Sequence, residues 1–213
     1  MTDKPLFPAF LKLHGRRAVV VGGGPVAASK LRALLDAGAD VTVVAPAAVK
    51  EVATAGVKLI ERRFRASDLD GAWLVVAAAT TAVNRAVARA AEKRRVFVNA
   101  VDDPPNASLY LGGVVRRAGV TFAVSTDGRA PALAGLLREG LDAVLPEVEL
   151  ERWMAEAERL RARWRAGKVP MPHRRPELLA SLVRLYERNQ PDTRNERNAA
   201  TGAALAPTAA PAP

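Results

Sequence analysis

Two clusters of residues in this chain have types and spacing that could do chemistry. The first is Asn99-Ala100-Val101-Asp102-Asp103-Pro104-Pro105-Asn106-Ala107-Ser108, a polar run that directly follows the apolar stretch Val96–Val98. A carboxylate here could serve as a general base, accepting a proton while a hydride departs. Either Asp102 or Asp103 could fill that role, or either could simply open a turn before Pro104. The second is Gly22-Gly23-Gly24-Pro25-Val26-Ala27, which fits G-x-G-x-x-A. Glycines at this spacing let a backbone approach a pyrophosphate, and a helix N-terminus then faces the anion. Ser125-Thr126-Asp127-Gly128 is a further polar loop, which also reads as a helix cap or turn.

The elements around the glycines make that match credible. Ala18–Val21 is an apolar, β-branched run of strand length. Val26, Ala27, Leu31, Leu34 and Leu35 recur at helical spacing, and residues 40–44 return to a strand. A βαβ unit with a glycine-rich first turn is the setting a dinucleotide site requires. The acidic ribose ligand expected at the end of the second strand is absent, because that strand ends Val43-Val44-Ala45-Pro46. No arginine stands there for a 2′-phosphate either, although Lys50 is near. The turn alone leaves NAD and NADP open.

Downstream, strands are expected at Val57–Ile60, Trp73–Ala78 and Val96–Val98, with a helix over Val83–Lys93 capped by Thr80-Thr81. The lead-in Phe7–Leu13 should add a strand or lie against the core. Arg62, Arg63 and Arg65 read as a solvated edge. This alternation predicts an α/β fold, a Rossmann-like doubly wound parallel sheet. Gly22–Gly24, Pro46, Thr80 and Asn99–Asp103 then all fall at the carboxyl ends of strands, where ligands gather.

The rhythm changes after Pro105. Leu109–Val115 and Val120–Val124 predict a hairpin around Arg116-Arg117-Ala118-Gly119, followed by a helix from Pro131 to about Val144. A hairpin and one helix are too small to fold alone, so this piece is expected to pack on its own copy as a homodimer. A helix begins at Pro146, Pro170–Pro176 interrupts it, and a short helix follows over Leu178–Tyr186. The resulting division is a dinucleotide-binding domain at 1–107, a dimerisation module at 108–146, a helical domain at 147–189 and a disordered Ala/Pro-rich tail at 190–213.

Composition narrows the classes. The 213 residues include no cysteine and only His14 and His173 as imidazoles, which argues against a resident zinc centre. No signal-peptide core or membrane-length apolar run is apparent, so a cytoplasmic protein with no membrane partner is expected. The formal charge of +10 favours an anionic partner, a polycarboxylate or phosphate ligand or a nucleic acid.

Residues 5–165 resemble the precorrin-2 dehydrogenase family, the dehydrogenase/ferrochelatase portion of sirohaem synthases. The resemblance rests on GGGPVAASKLRALLDAGADVTVVAP followed by RRVFVNAVDDPPNASLYLGGVVRRAGVTFAVSTDGRAPALAGLLREGLDAVLP. It suggests the stand-alone form. The resemblance implies NAD as cofactor and precorrin-2, a tetrapyrrole, as substrate, oxidised to sirohydrochlorin in sirohaem or cobalamin synthesis. Ferrous iron is implied as a second substrate in members that also insert the metal. The family's essential aspartate lies in an N-x-V-D segment, which selects Asp102. Asn99, Ser125 and Thr126 are implied as substrate-binding. Gly22, Gly23, Gly24, Pro25, Val26, Pro46, Ala47 and Thr80 are implied as cofactor-binding. The family's acidic pair after the fourth strand is replaced here by Thr80-Thr81, and its serine-rich loop reads S-T-D-G-R-A-P. An excess of arginine, with Arg116, Arg117, Arg129 and Arg138 beside the crevice, suits a carboxylate-edged substrate. Two other readings are a generic Rossmann dehydrogenase of a small metabolite and an NAD-responsive regulator binding nucleic acid through its basic C-terminal helices.

Overall fold

Short apolar runs, β-branched in β1, β2 and β4, form five parallel strands in the order β3-β2-β1-β4-β5. They are β1 (Arg17–Val21), β2 (Asp40–Val44), β3 (Lys58–Ile60), β4 (Leu74–Ala77) and β5 (Phe97–Ala100). The computed structural model describes residues 5–187. The tail expected at 190–213 lies outside them.

Alternation along β1 explains the two layers over the sheet. Ala18 and Val20 face helix α1 (Pro25–Asp36) and its buried Ala27, Leu31 and Leu34. Val19 and Val21 face the opposite layer, where α3 (Thr81–Glu92) contributes Val87, Ala90 and Ala91. A short helix α2 (Lys50–Ala53) joins the α1 side through buried Val52. Chain order reverses between β1 and β4, which pair with Val21 opposite Ala77. That reversal is the topological switch point, and both candidate clusters sit at the carboxyl ends of the strands around it.

The chain divides into two units, residues 5–114 with 123–140 and residues 115–122 with 141–187. The first carries the sheet and the start of α4 (Pro131–Val144). In the second, α5 (Glu147–Ala166) and α6 (Met171–Glu187) pack on one another. Trp164 is buried and donates its indole N–H to Glu177 Oε2 at 2.5 Å. Glu177 also takes Arg163, and Ser181 is hydrogen-bonded to Glu156.

Four sequence expectations need correction. Phe7–Leu13 adds no strand: Leu13 alone reaches the core, while Phe7 is 91% exposed. The hairpin strands are β6 (Gly113–Arg117) and β7 (Val120–Val124), so Arg116 and Arg117 belong to β6. Only Ala118 and Gly119 form the turn, both at positive φ (+47° and +77°), matching the twist of a two-residue hairpin loop. Pro176 does not break α6 but lies inside it, because helix packing outweighs one lost backbone bond. Arg62 is not merely a solvated edge. It grips buried Asp68 through two hydrogen bonds of 2.9 and 2.6 Å, and Asp68 also accepts the Arg65 backbone N–H at 2.8 Å. The Arg62 hydrogen bonds hold the Asp68 carboxyl below the usual carboxylate range, opposed by burial.

Candidate active site

The three glycines after β1 do different work. Gly22 adopts φ +126°, and a Cβ there would sit 2.2 Å from Ala78 O at the end of β4. A Cβ on Gly23 would sit 2.1 Å from Ala47 O, and Gly23 O accepts the Val49 N–H at 2.8 Å. These two glycines therefore seat the turn against the loops after β4 and β2. Gly24, the N-cap of α1, is different: a Cβ there would meet no protein atom within 4 Å. Pro25 occupies the first turn without an N–H, no side chain caps the helix, and its first turn holds no acidic residue. An uncapped helix N-terminus beside open space is a cradle suited to the pyrophosphate of a dinucleotide. Pro25, Val26, Pro46, Ala47 and Thr80 are all exposed at this end of the strands.

A second feature is a cavity of about 340 Å³ on the α1 side of β5. Asn99, Asp102, Ser125 and Thr126 line it together, so residues 26 positions apart in sequence are brought to one site. Its remaining polar lining includes Lys30 from α1 and Tyr110, with Gly112 and Gly113 closing the wall. None of Gly22–Gly24, Pro46, Ala47 or Thr80 lines this cavity. The structure thus separates the cofactor candidates from the substrate candidates into two adjoining sets.

The chain turns sharply where β5 ends. Asp102 takes φ +54°, an uncommon conformation for a residue with a side chain. Val101 N–H is bound to Ala77 O at 3.0 Å, tying this turn to the end of β4. Buried Asn84 on α3 reinforces the tie: its Oδ1 accepts Ala79 N–H at 3.0 Å and its Nδ2 donates to Val101 O at 3.4 Å. The two neighbouring aspartates then differ in environment. Asp103 accepts both its hydrogen bonds from Asn106 Nδ2, at 3.0 and 2.9 Å. Asp102 is exposed toward the cavity, and among the described residues no donor binds its carboxylate.

Asn99 is 8% exposed and donates Nδ2 to Leu109 O at 3.0 Å. Its Oδ1 is buried without a partner among the described residues, an acceptor left for a ligand donor or a water. Ser125 Oγ accepts Asp127 N–H at 3.1 Å, and Thr126 Oγ1 accepts Ala130 N–H at 3.2 Å, so both shape the entry to α4. Each hydroxyl keeps its hydrogen as a donor. The arginines expected beside the crevice do not line the cavity. Arg117 is bound to Asp142 and to Leu145 O, and Arg138 to Glu139.

Comparison with known proteins places this geometry. Residues 9–113 match the family model described as "Putative NAD(P)-binding". The chain is 41% identical over 173 residues to siroheme synthase 3 of Aeromonas hydrophila, covering 79% of this chain and 37% of that protein. It is 43% identical over 173 residues to the siroheme synthase of Citrobacter koseri, covering 79% of this chain and 38% of that one. The chain is a relative of the N-terminal part of the sirohaem synthases. It spans well under half the length of the sirohaem synthases it matches. Among solved structures, "SirC, precorrin-2 dehydrogenase" superimposes with a TM-score of 0.63 at 24% identity, covering 82% of this chain and 88% of that one. That likeness shows a shared fold, a five-stranded parallel sheet followed by a hairpin and helices.

Sequence reasoning reached Asn99, Asp102, Ser125 and Thr126 but missed Asn84 and Lys30. Asn84 carried a signal, being a polar residue in the buried stripe with Val87 and Ala91. Lys30 carried none, since it flanks the stripe Ala27-Leu31-Leu34 as a solvated lysine would.

Proposed function

We propose that this chain is an NAD-dependent dehydrogenase that oxidises precorrin-2 to sirohydrochlorin. One observation carries the reading most: at the end of β5, Asn106 engages Asp103 while Asp102 presents an unclaimed carboxylate to a cavity, in a chain related to sirohaem synthases. The cofactor fit rests on Gly22, Gly23 and the open side of Gly24. When bound, the nicotinamide supplies a hydride acceptor.

The residues divide the remaining work. Gly24 and the first turn of α1 would hold the pyrophosphate, and Pro46 and Ala47 would border the adenosine side. β1 and β5 are two strand spacings apart, about 10 Å, which the nicotinamide half would cross to reach the cavity. Asn99 Oδ1 and the hydroxyls of Ser125 and Thr126 orient the tetrapyrrole. Oxidation removes two hydrogens, one as hydride and one as a proton. Asp102 accepts the proton, and its exposure lets it pass that proton to water. NAD is the cofactor that the resemblance to precorrin-2 dehydrogenases implies; the end of β2 carries neither an acidic ribose ligand nor an arginine for a 2′-phosphate.

The partner surface fits a second copy of the chain. Leu133, Leu136, Leu137 and Val144 of α4 are all at least 49% exposed. A regulator binding nucleic acid through stacking is disfavoured because Trp164 is buried and bonded to Glu177. The test is anaerobic incubation with precorrin-2 and NAD, followed by ferrous iron. Appearance of the sirohydrochlorin spectrum with equimolar NADH supports the reading, and no reaction overturns it. A further iron-dependent spectral change, faster than without protein, would add metal insertion.

A further inference from the structure

The cavity beside Asp102 must distinguish a substrate edged with carboxylates, yet the arginines nearest in sequence do not line it. Arg117 and Arg138 are bound to acidic side chains, Asp142 and Glu139. Among the described residues, Lys30 is the one lysine or arginine in the cavity wall.

Its placement follows from the fold. Lys30 is the sixth residue of α1, roughly 7.5 Å along the axis from Pro25, on the end of the helix nearest the strand termini. It flanks the buried stripe of Ala27 and Leu31, and the residue is half-buried in the cavity wall. Its ammonium is free to reach into the cavity, as long cationic side chains do. Among the described residues no carboxylate or carbonyl pairs with it, and it makes no ion pair with Asp102. A lysine and an aspartate therefore share this cavity wall, neither with a hydrogen-bond or ion-pair partner among the described residues.

We infer that Lys30 is the substrate-anchoring residue of the site, pairing with a peripheral carboxylate of the tetrapyrrole while Asp102 addresses the ring. This rests on the dehydrogenase reading above and names a specificity element within it. The cavity, about 340 Å³, is at the small end of ligand pockets, so it receives one edge of the macrocycle. An ammonium at that edge fixes which ring lies beside Asp102. The cofactor phosphates are not its target, because no residue of the glycine turn lines the same cavity.

The test compares wild type with Lys30→Gln and Lys30→Arg in anaerobic initial-rate assays, varying precorrin-2 at saturating NAD and then NAD at saturating precorrin-2. Lys30→Gln should raise KM for precorrin-2 by about 10- to 100-fold, the range for losing a charge-assisted hydrogen bond. KM for NAD and kcat should stay within about threefold, and Lys30→Arg should recover most of the lost affinity. The wild-type kcat/KM for precorrin-2 should fall with added salt more steeply than that of Lys30→Gln. An unchanged KM for precorrin-2 in an active Lys30→Gln variant overturns the anchor and leaves the dehydrogenase reading intact. A rise in KM for NAD instead, or a loss confined to kcat, also overturns it. Wild type that fails to turn over precorrin-2 overturns the dehydrogenase reading, and the anchor with it.

Discussion

Asn106 donates its Nδ2 to both carboxylate oxygens of Asp103, at 3.0 and 2.9 Å, across a single turn beginning at Pro104. The effect is to give two adjacent aspartates different surroundings. Asp103 shapes the turn that returns the chain from β5, and Asp102, at φ +54°, is rotated into the cavity. The strained conformation at Asp102 is held by its neighbours: Val101 is bonded to Ala77 and braced by Asn84. Asp127, in the loop Ser125–Gly128 beside the same cavity, is also at positive φ (+55°), and such backbone outliers recur at functional sites.

The glycine turn yields a contrast between adjacent substitutions. Gly22→Ala forces a Cβ against Ala78 O and a side chain into φ +126°, so thermal unfolding should shift down by several degrees. Gly24→Ala meets no protein atom and keeps an ordinary φ of −85°. It should melt close to wild type while NAD affinity drops about tenfold or more, because the added methyl occupies the pyrophosphate's approach. Isothermal titration with NAD alongside thermal melting checks both halves.

Asn84 is the brace between the ends of β4 and β5. Asn84→Leu keeps the branching of the side chain but leaves the Ala79 N–H and Val101 O without their partner, and should cost about 1–3 kcal/mol in chemical denaturation. The variant that remains folded should lose kcat for precorrin-2 oxidation more than NAD affinity, since the loop it holds carries Asp102.

Asp68 and Arg62 give stability a pH dependence. The folded Asp68 carboxyl is held below its unfolded value by the Arg62 hydrogen bonds, so its contribution is present above about pH 4 and is lost as pH falls further. Asp68→Asn should therefore destabilise the protein by about 1.5–3 kcal/mol at pH 7. The difference between the two proteins should shrink as the pH falls below about 4 in urea unfolding curves.

The apolar face of α4 tests assembly. Leu136 is 65% exposed, so Leu136→Asp should leave the fold intact. If a second copy covers that face, the wild type should sediment as a dimer and the variant as a monomer. A monomeric wild type contradicts the assignment.

Much of this was legible in the residues, and the exceptions have physical causes. The five parallel strands were readable because each falls in a short apolar run, β-branched in β1, β2 and β4, that alternates with helical spacing. Asn99, Asp102, Ser125 and Thr126 were readable because polar runs at strand ends have few structural uses. Choosing Asp102 over Asp103 was not possible from spacing, since both precede proline. The choice came from a family resemblance, and the structure gives it a reason in Asn106. Arg62 was misjudged because its partner, Asp68, is brought to it by a 3₁₀ turn that leaves no periodic trace. Pro176 was misjudged because a local helix breaker was weighed without the packing of α5 on α6.

The central claim is that Asp102 accepts the proton in an NAD-dependent oxidation of precorrin-2 while Asp103 is architectural. Its most direct test is the anaerobic rate of sirohydrochlorin formation by wild type, Asp102→Asn and Asp103→Asn, with NAD binding measured in parallel. Asp102→Asn should lose about 10²–10⁴-fold in kcat with NAD affinity unchanged, whereas Asp103→Asn should keep kcat within about fivefold. Full turnover by Asp102→Asn, or an equal loss in both variants, would contradict the account.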